Sequence, residues 1–347
     1  MNTAPFSSPT LTGVGRFRIP LAATLAWALL LTTWAEAVRT QQIPLRAGWN
    51  AVFLEVQPAE TRPDRAFEGL PVETVACFYP GSQEAGLLRP PGGASWREEG
   101  WAVWYAPSRP EAFAANLFTI QSQRAYLILA TADALWTVTG RPRAQRLNWH
   151  PDSCTFTGLP VDPAAPPTFA EFFRGSSAHE RLRIFQLQAG QWKRVANPAA
   201  TLIRSGEAYW IQSDGPSTWP GPLAVNLPAT GELDFDVHSP GQNLDFENLS
   251  STPAQIQIET VLGTESLPLR RPLRLAGSTL TERNLLPARV SLPELAAGGR
   301  ATLRLEPARD ALSTETAETL LRLTDGRGTQ LWLPIRARRA VSTALVP

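Results

Sequence analysis

The chain is poor in the residues that most often carry chemistry. Among its 347 residues are two cysteines, Cys77 and Cys154, three histidines, and one lysine, Lys193. The cysteines lack a Cys-x-x-Cys spacing, which argues against a zinc site, and no metal is expected. His150, His179 and His238 are scattered, with no His-Glu-x-x-His and no Gly-x-Ser-x-Gly. No acidic calcium loop of the Asp-x-Asp-x-Asp-Gly kind is present. Nothing along the chain assembles a nucleophile, a base and an orienting group, so we expect no enzyme, no catalytic residues and no cofactor. A pair of carboxylates needs no local motif, which keeps a polysaccharide hydrolase as the least favoured reading.

Charge of one sign is also missing. The formal net charge is +1, and arginine supplies nearly all the positive side chains. Nucleic-acid and polybasic membrane roles need a clustered positive field, so neither is expected. Beyond the N-terminus no apolar run is long enough to span a bilayer.

At the N-terminus, Arg16 and Arg18 precede an apolar run from Leu21 to Trp34, and Ala35-Glu36-Ala37 has the small-x-small cleavage pattern. Residues 1–37 therefore read as a signal peptide, with export to the periplasm or exterior and no transmembrane anchor once it is removed. Without them the basic and acidic residues balance.

What the chain does have is internal similarity. One stretch opens Leu45-Arg46-Ala47-Gly48-Trp49-Asn50 and closes on Leu117 to Ile128, with Ala125-Tyr126 leading the last apolar run. A second opens Arg146-Leu147-Asn148-Trp149-His150 and closes on Ala200 to Ile211, with Ala208-Tyr209 at the matching place. Tandem modules of this kind usually form a structural or binding array rather than one catalytic pocket.

The 32 prolines and 24 glycines predict short strands and many turns. Module one is expected over 38–143, with strands at Ala51–Val56 and Thr74–Tyr79, a short helix near Asp64–Glu68, and an inserted loop over 80–100. Module two is expected over 144–228. There Thr168 and Glu171 have capping-box spacing, and Gln188-Ala189-Gly190-Gln191 reads as a hairpin turn. From about Thr230 the pattern becomes two-residue alternation, as in Leu233, Phe235 and Val237, or Leu303 and Leu305. One greasy face and one polar face predict an immunoglobulin-like β-sandwich over 229–347. The fold class expected is mostly β: two related β modules, each with a short helix, then a sandwich.

The Gly48-Trp49-Asn50 opening and Gly206-Glu207-Ala208-Tyr209-Trp210 resemble a repeated module of large secreted bacterial proteins, a family of uncharacterised function. In module one Gln123 replaces the turn glycine and Leu127 replaces the tryptophan. The tail, through Leu244-Asp245-Phe246-Glu247-Asn248 and the glycines before Leu303, is similar to immunoglobulin-like domains of the ASPM/SPD-2/Hydin type. Neither resemblance brings catalytic residues with it.

Trp49, Trp149, Trp192 and Trp210 sit in the repeated framework and read as core. Trp96, Trp101, Trp104 and Tyr105 lie in or beside the inserted loop, where variable loops place ligand contacts, and are the candidate ligand-binding residues. Cys77 and Cys154 could form a disulfide in an oxidising compartment, or stand as two separate thiols. The leading functional reading is a secreted, non-catalytic interaction or scaffold protein of the cell envelope or exterior, whose partner is a protein or a glycan. The alternative is a carbohydrate-binding protein that uses exposed loop tryptophans.

Overall fold

The structure is a computed structural model that describes residues 37–79, 100–261, 267–274 and 281–339. The leader segment up to residue 36 and residues 80–99 of the inserted loop, Trp96 among them, lie outside the described residues. The fold is mostly β, with two short helices among them.

Module one has strands β1 (Arg39–Leu45), β2 (Gly48–Leu54), β3 (Val56–Pro58), β4 (Val72–Phe78), β5 (Trp101–Tyr105), β6 (Arg124–Ala130) and β7 (Ala134–Pro142), with helix α1 (Pro63–Ala66) after β3. They form two antiparallel sheets, ordered β1-β7-β3 and β2-β6-β4-β5. Alternation in β1 buries Ile43 and Leu45 beside Trp136 and Val138 of β7. They pack on Val52, Leu54, Val75, Cys77, Tyr126 and Ile128 of the second sheet, and Phe67 after α1 fills the gap. Gly140 lets β3 approach β7, since a Cβ there would lie 1.7 Å from the Gln57 carbonyl oxygen.

Module two has β8 (Cys154–Thr157), α2 (Phe169–Phe172), β9 (Ile184–Gln188), β10 (Gln191–Arg194) and β11 (Tyr209–Gln212). Its sheet runs β8-β11-β9-β10, the same order as β2-β6-β4-β5. The capping box is present: Thr168 Oγ1 accepts from the Glu171 amide, and the Glu171 carboxylate accepts from the Thr168 amide. This short helix buries Phe169 and Phe172 against Tyr209 and Trp219. Register corrects one sequence alignment. Tyr126 pairs with Val52 and Tyr209 with Thr157, so the counterpart of Trp49 is Cys154, not Trp149.

The third unit is an immunoglobulin-like sandwich. Its first sheet is β12 (Leu223–Val225), β14 (Gln242–Asn248), β19 (Arg300–Pro307), β16 (Leu269–Arg274) and β17 (Thr281–Leu285), in that order. Its second is β13 (Leu233–Phe235), β21 (Gln330–Arg338), β20 (Thr316–Thr324), β15 (Gln257–Val261) and β18 (Arg289–Ser291). The greasy faces meet in a core that includes Phe235, Phe246, Ile258, Leu303, Leu323 and Ile335. The sandwich begins before residue 229, because β12 pairs with β14 and both Leu223 and Leu227 lie in its core. β13 joins β21 in parallel, a pairing that alternation alone does not reveal.

The three units interlock. Ala208 donates its amide to the Ala51 carbonyl and Phe53 to the Gly206 carbonyl, which ties β2 to module two. Asp162 donates to Gly328 and Gln330 to Pro160, seating the β20–β21 turn on module two. Between module one and the sandwich, the buried Glu318 carboxylate is bound by Arg141, by Arg336 at 2.9 Å and by the Ala37 amide at 3.0 Å. Arg141 also donates to Glu232 at 3.0 Å. Ala37, placed in the leader by its sequence pattern, is thus a buried member of this junction.

Candidate interaction site

Strand alternation decides where the candidate aromatics point. On β5, Trp101 and Tyr105 join a cluster with Phe53, Val103 and Leu127 that meets Ala208, Phe156, Leu187 and Trp192 of module two. Trp104, three residues from Trp101, points the other way and stacks on Phe67 at 5.7 Å between ring centres. Both tryptophans and Tyr105 are half-buried. Trp101 and Trp104 therefore lie on opposite faces of one strand and do not form a common platform.

Trp101 has a counterpart across the junction. It pairs with Phe78 as Trp192 pairs with Leu187, at matching positions of the two sheets. Corresponding faces of the sheets thus meet, through a series of rings. Trp101 lies 5.2 Å from Phe78, Phe78 lies 5.4 Å from Trp210, and Trp210 lies 4.9 Å from Phe156. Of the framework tryptophans, Trp149 and Trp210 are buried and Trp49 and Trp192 half-buried.

Cys77 and Cys154 are free thiols. Cys77 points into the core of module one, on the face turned away from module two, while β8 with Cys154 is the edge strand of the second sheet. Burial pushes the Cys77 thiol up to about 12, against a smaller opposing pull from Arg124. His179 is buried beside Trp149 and Phe173, with ring centres 4.5 and 4.6 Å away, and burial lowers its pKa to about 4. Its Nδ1 lies 2.7 Å from Ser176 Oγ, and its Nε2 is buried without a partner. Enclosed this way, the pair has a packing role. No group of three or more metal-ligating side chains occurs among the described residues.

A cleft between the modules encloses about 990 Å³. One wall is β1 and the start of β2, with Gln42, Arg46 and Trp49, and Asp133 lies at its end. The opposite wall is the β9–β10 turn and the segment Arg204–Glu207. Glu207 is held by Gln186 Nε2 at 2.8 Å and by the Tyr209 hydroxyl at 3.2 Å. Asp133 accepts the Ala47 amide at 2.8 Å. Sequence reasoning missed this cleft because its walls are far apart in the chain. The available signals were the Gly48-Trp49-Asn50 opening and the Ala189-Gly190 turn.

No helix among the described residues is long and apolar enough to cross a membrane. No protein-family model and no curated protein matches this sequence. Among solved structures, the chain is similar over 33% of its length to the CupB2 chaperone of Pseudomonas aeruginosa, at 15% identity and a TM-score of 0.23. Over 33% of its length it is also similar to the CsuC–CsuE chaperone–tip adhesion subunit pre-assembly complex of Acinetobacter baumannii Csu pili, at 12% identity and a TM-score of 0.21. The similarity covers 56% of each of those chains.

Proposed function

We propose that this chain is a secreted, non-catalytic interaction or scaffold protein of the bacterial cell envelope or exterior. The interlocking of its three β units carries the reading. Backbone pairing joins module one to module two and module two to the sandwich, while the Glu318 ion cluster joins the sandwich to module one. Such a closed arrangement leaves little freedom for domain closure and suits a rigid body that presents loops and edges to partners. The leader-like N-terminus supports export, and the repeated-module resemblance fits a display role.

The test is photocrosslinking in cells of the full chain, with a photoreactive side chain in place of Phe113 or Phe118. These are 89% and 75% exposed. A discrete adduct with an envelope or extracellular protein is the expected result. Retention of the chain in the cytoplasm, or turnover of a polysaccharide by the purified protein, would overturn the reading.

A further inference from the structure

We propose that the cleft between the modules is a binding site for a neutral glycan strand, laid across Trp49. This deepens the interaction reading by naming a ligand class, and rests on it only for the chain's exposure to extracellular polymers.

The lining supports a neutral, polyhydroxylated ligand. The charged side chains are Arg46 and Arg204 on one sign and Asp133 and Glu207 on the other. A balanced set gives no net field to draw in an anion, yet offers donors and acceptors at several points. Trp49 adds the flat apolar surface that such polar groups lack. At about 990 Å³ the cleft is at the upper end of the range for ligand sites. Glu207 is already oriented by Gln186 and Tyr209, and Asp133 by the Ala47 amide, so ligand binding need not order them.

A second observation comes from the β9–β10 turn. Ala189 and Gly190 both have positive φ, 48° and 74°, as the two central residues of a type I′ hairpin require. Asparagine, aspartate or glycine is favoured at the first of these, and alanine there is strained. Ala189 lines the cleft, and its small side chain leaves the cleft open beside it.

The experiment uses the exported full chain. Pelleting with insoluble chitin and cellulose is followed by tryptophan-fluorescence titration with soluble chito- and cello-oligosaccharides. Saturable binding that survives high salt is expected. Trp49→Ala should weaken it by about tenfold, as loss of one aromatic stacking contact would. Trp49 also touches the junction between the modules, so two exposed positions provide the control. Arg46→Ala should weaken binding, and Ala189→Gln should block it, each with an unchanged melting temperature. Absence of binding to every polymer overturns the proposal. So does binding untouched by all three substitutions, or binding abolished by salt, which would mark a polyanion. None of these results bears on the photocrosslinked adduct, so the two readings fail separately.

Discussion

Tyr126 and Tyr209 do the same work in the two modules. Each hydroxyl accepts the amide N–H of the residue five positions earlier, Gln121 at 2.8 Å and Arg204 at 3.0 Å. Both rings are fully buried, and burial raises both phenol pKa values. Between amide and ring the chain passes through a left-handed residue, Gln123 with φ 60° or Gly206 with φ 77°. Replacing either tyrosine by phenylalanine leaves that amide unpaired. Tyr126→Phe and Tyr209→Phe should each cost about 1–3 kcal/mol in denaturant unfolding.

Glu318 is the carboxylate on which the sandwich and module one converge. Burial raises its pKa, but the hydrogen bonds from Arg141, Ala37 and Arg336 outweigh that and hold it below the ordinary value. Removing it would leave Arg336 without its carboxylate partner and Arg141 with Glu232 alone. Glu318→Ala should destabilise the protein by about 3 kcal/mol or more, read as a lowered urea midpoint. The depressed pKa means this contribution is intact above the unfolded-state value and is lost as pH falls through the folded-state value.

His179 acts in a higher pH window. Above its unfolded pKa of about 6.5 it is neutral in both states and adds no pH dependence to stability. As pH falls from about 6.5 towards 4, the unfolded chain takes up a proton that the folded chain refuses, and stability declines. The full effect is on the order of 3 kcal/mol. In His179→Gln the pH slope of the unfolding free energy over this window should flatten, even if overall stability drops.

The thiols offer a chemical check on the fold. Cys77, with its pKa pushed up to about 12 by burial, should resist alkylation until the protein unfolds. Cys154 is only partly buried and should react slowly in the native state. A peptide map without reduction should show no link between them.

Trp101 and Trp104 should behave as packing residues, one at the module junction and one in the core of module one. Each alanine variant should lower stability by about 2 kcal/mol, less than a fully buried tryptophan because both are half-exposed. The change in melting temperature measures it.

Local chemistry made much of this fold legible. Thr168 and Glu171 announced a helix start, Ala189-Gly190 a hairpin, and the alternation around Leu303 and Leu305 a sandwich. Long-range pairing was not legible. β1 and β7 close a separate sheet in module one, and Leu223–Val225 crosses into the sandwich, because partners distant in the chain decide both. The aromatic pattern around Trp101 and Trp104 showed a strand but not which surface would cover each face. For the same reason the cleft, assembled from β1, β2 and two turns of module two, left no contiguous signature.

The meeting of module one and the sandwich at Glu318 has a mechanical consequence. Arg141 on β7 and Arg336 on β21 both bind Glu318, and Arg39 at the start of β1 lies over the Trp332 ring of β21, so the start of β1 and β21 meet at one corner of the protein. A pull applied between these two points would act first on that corner, and the aromatic junction between the modules would stay out of the line of tension. The cleft between the modules would keep its shape under such a load.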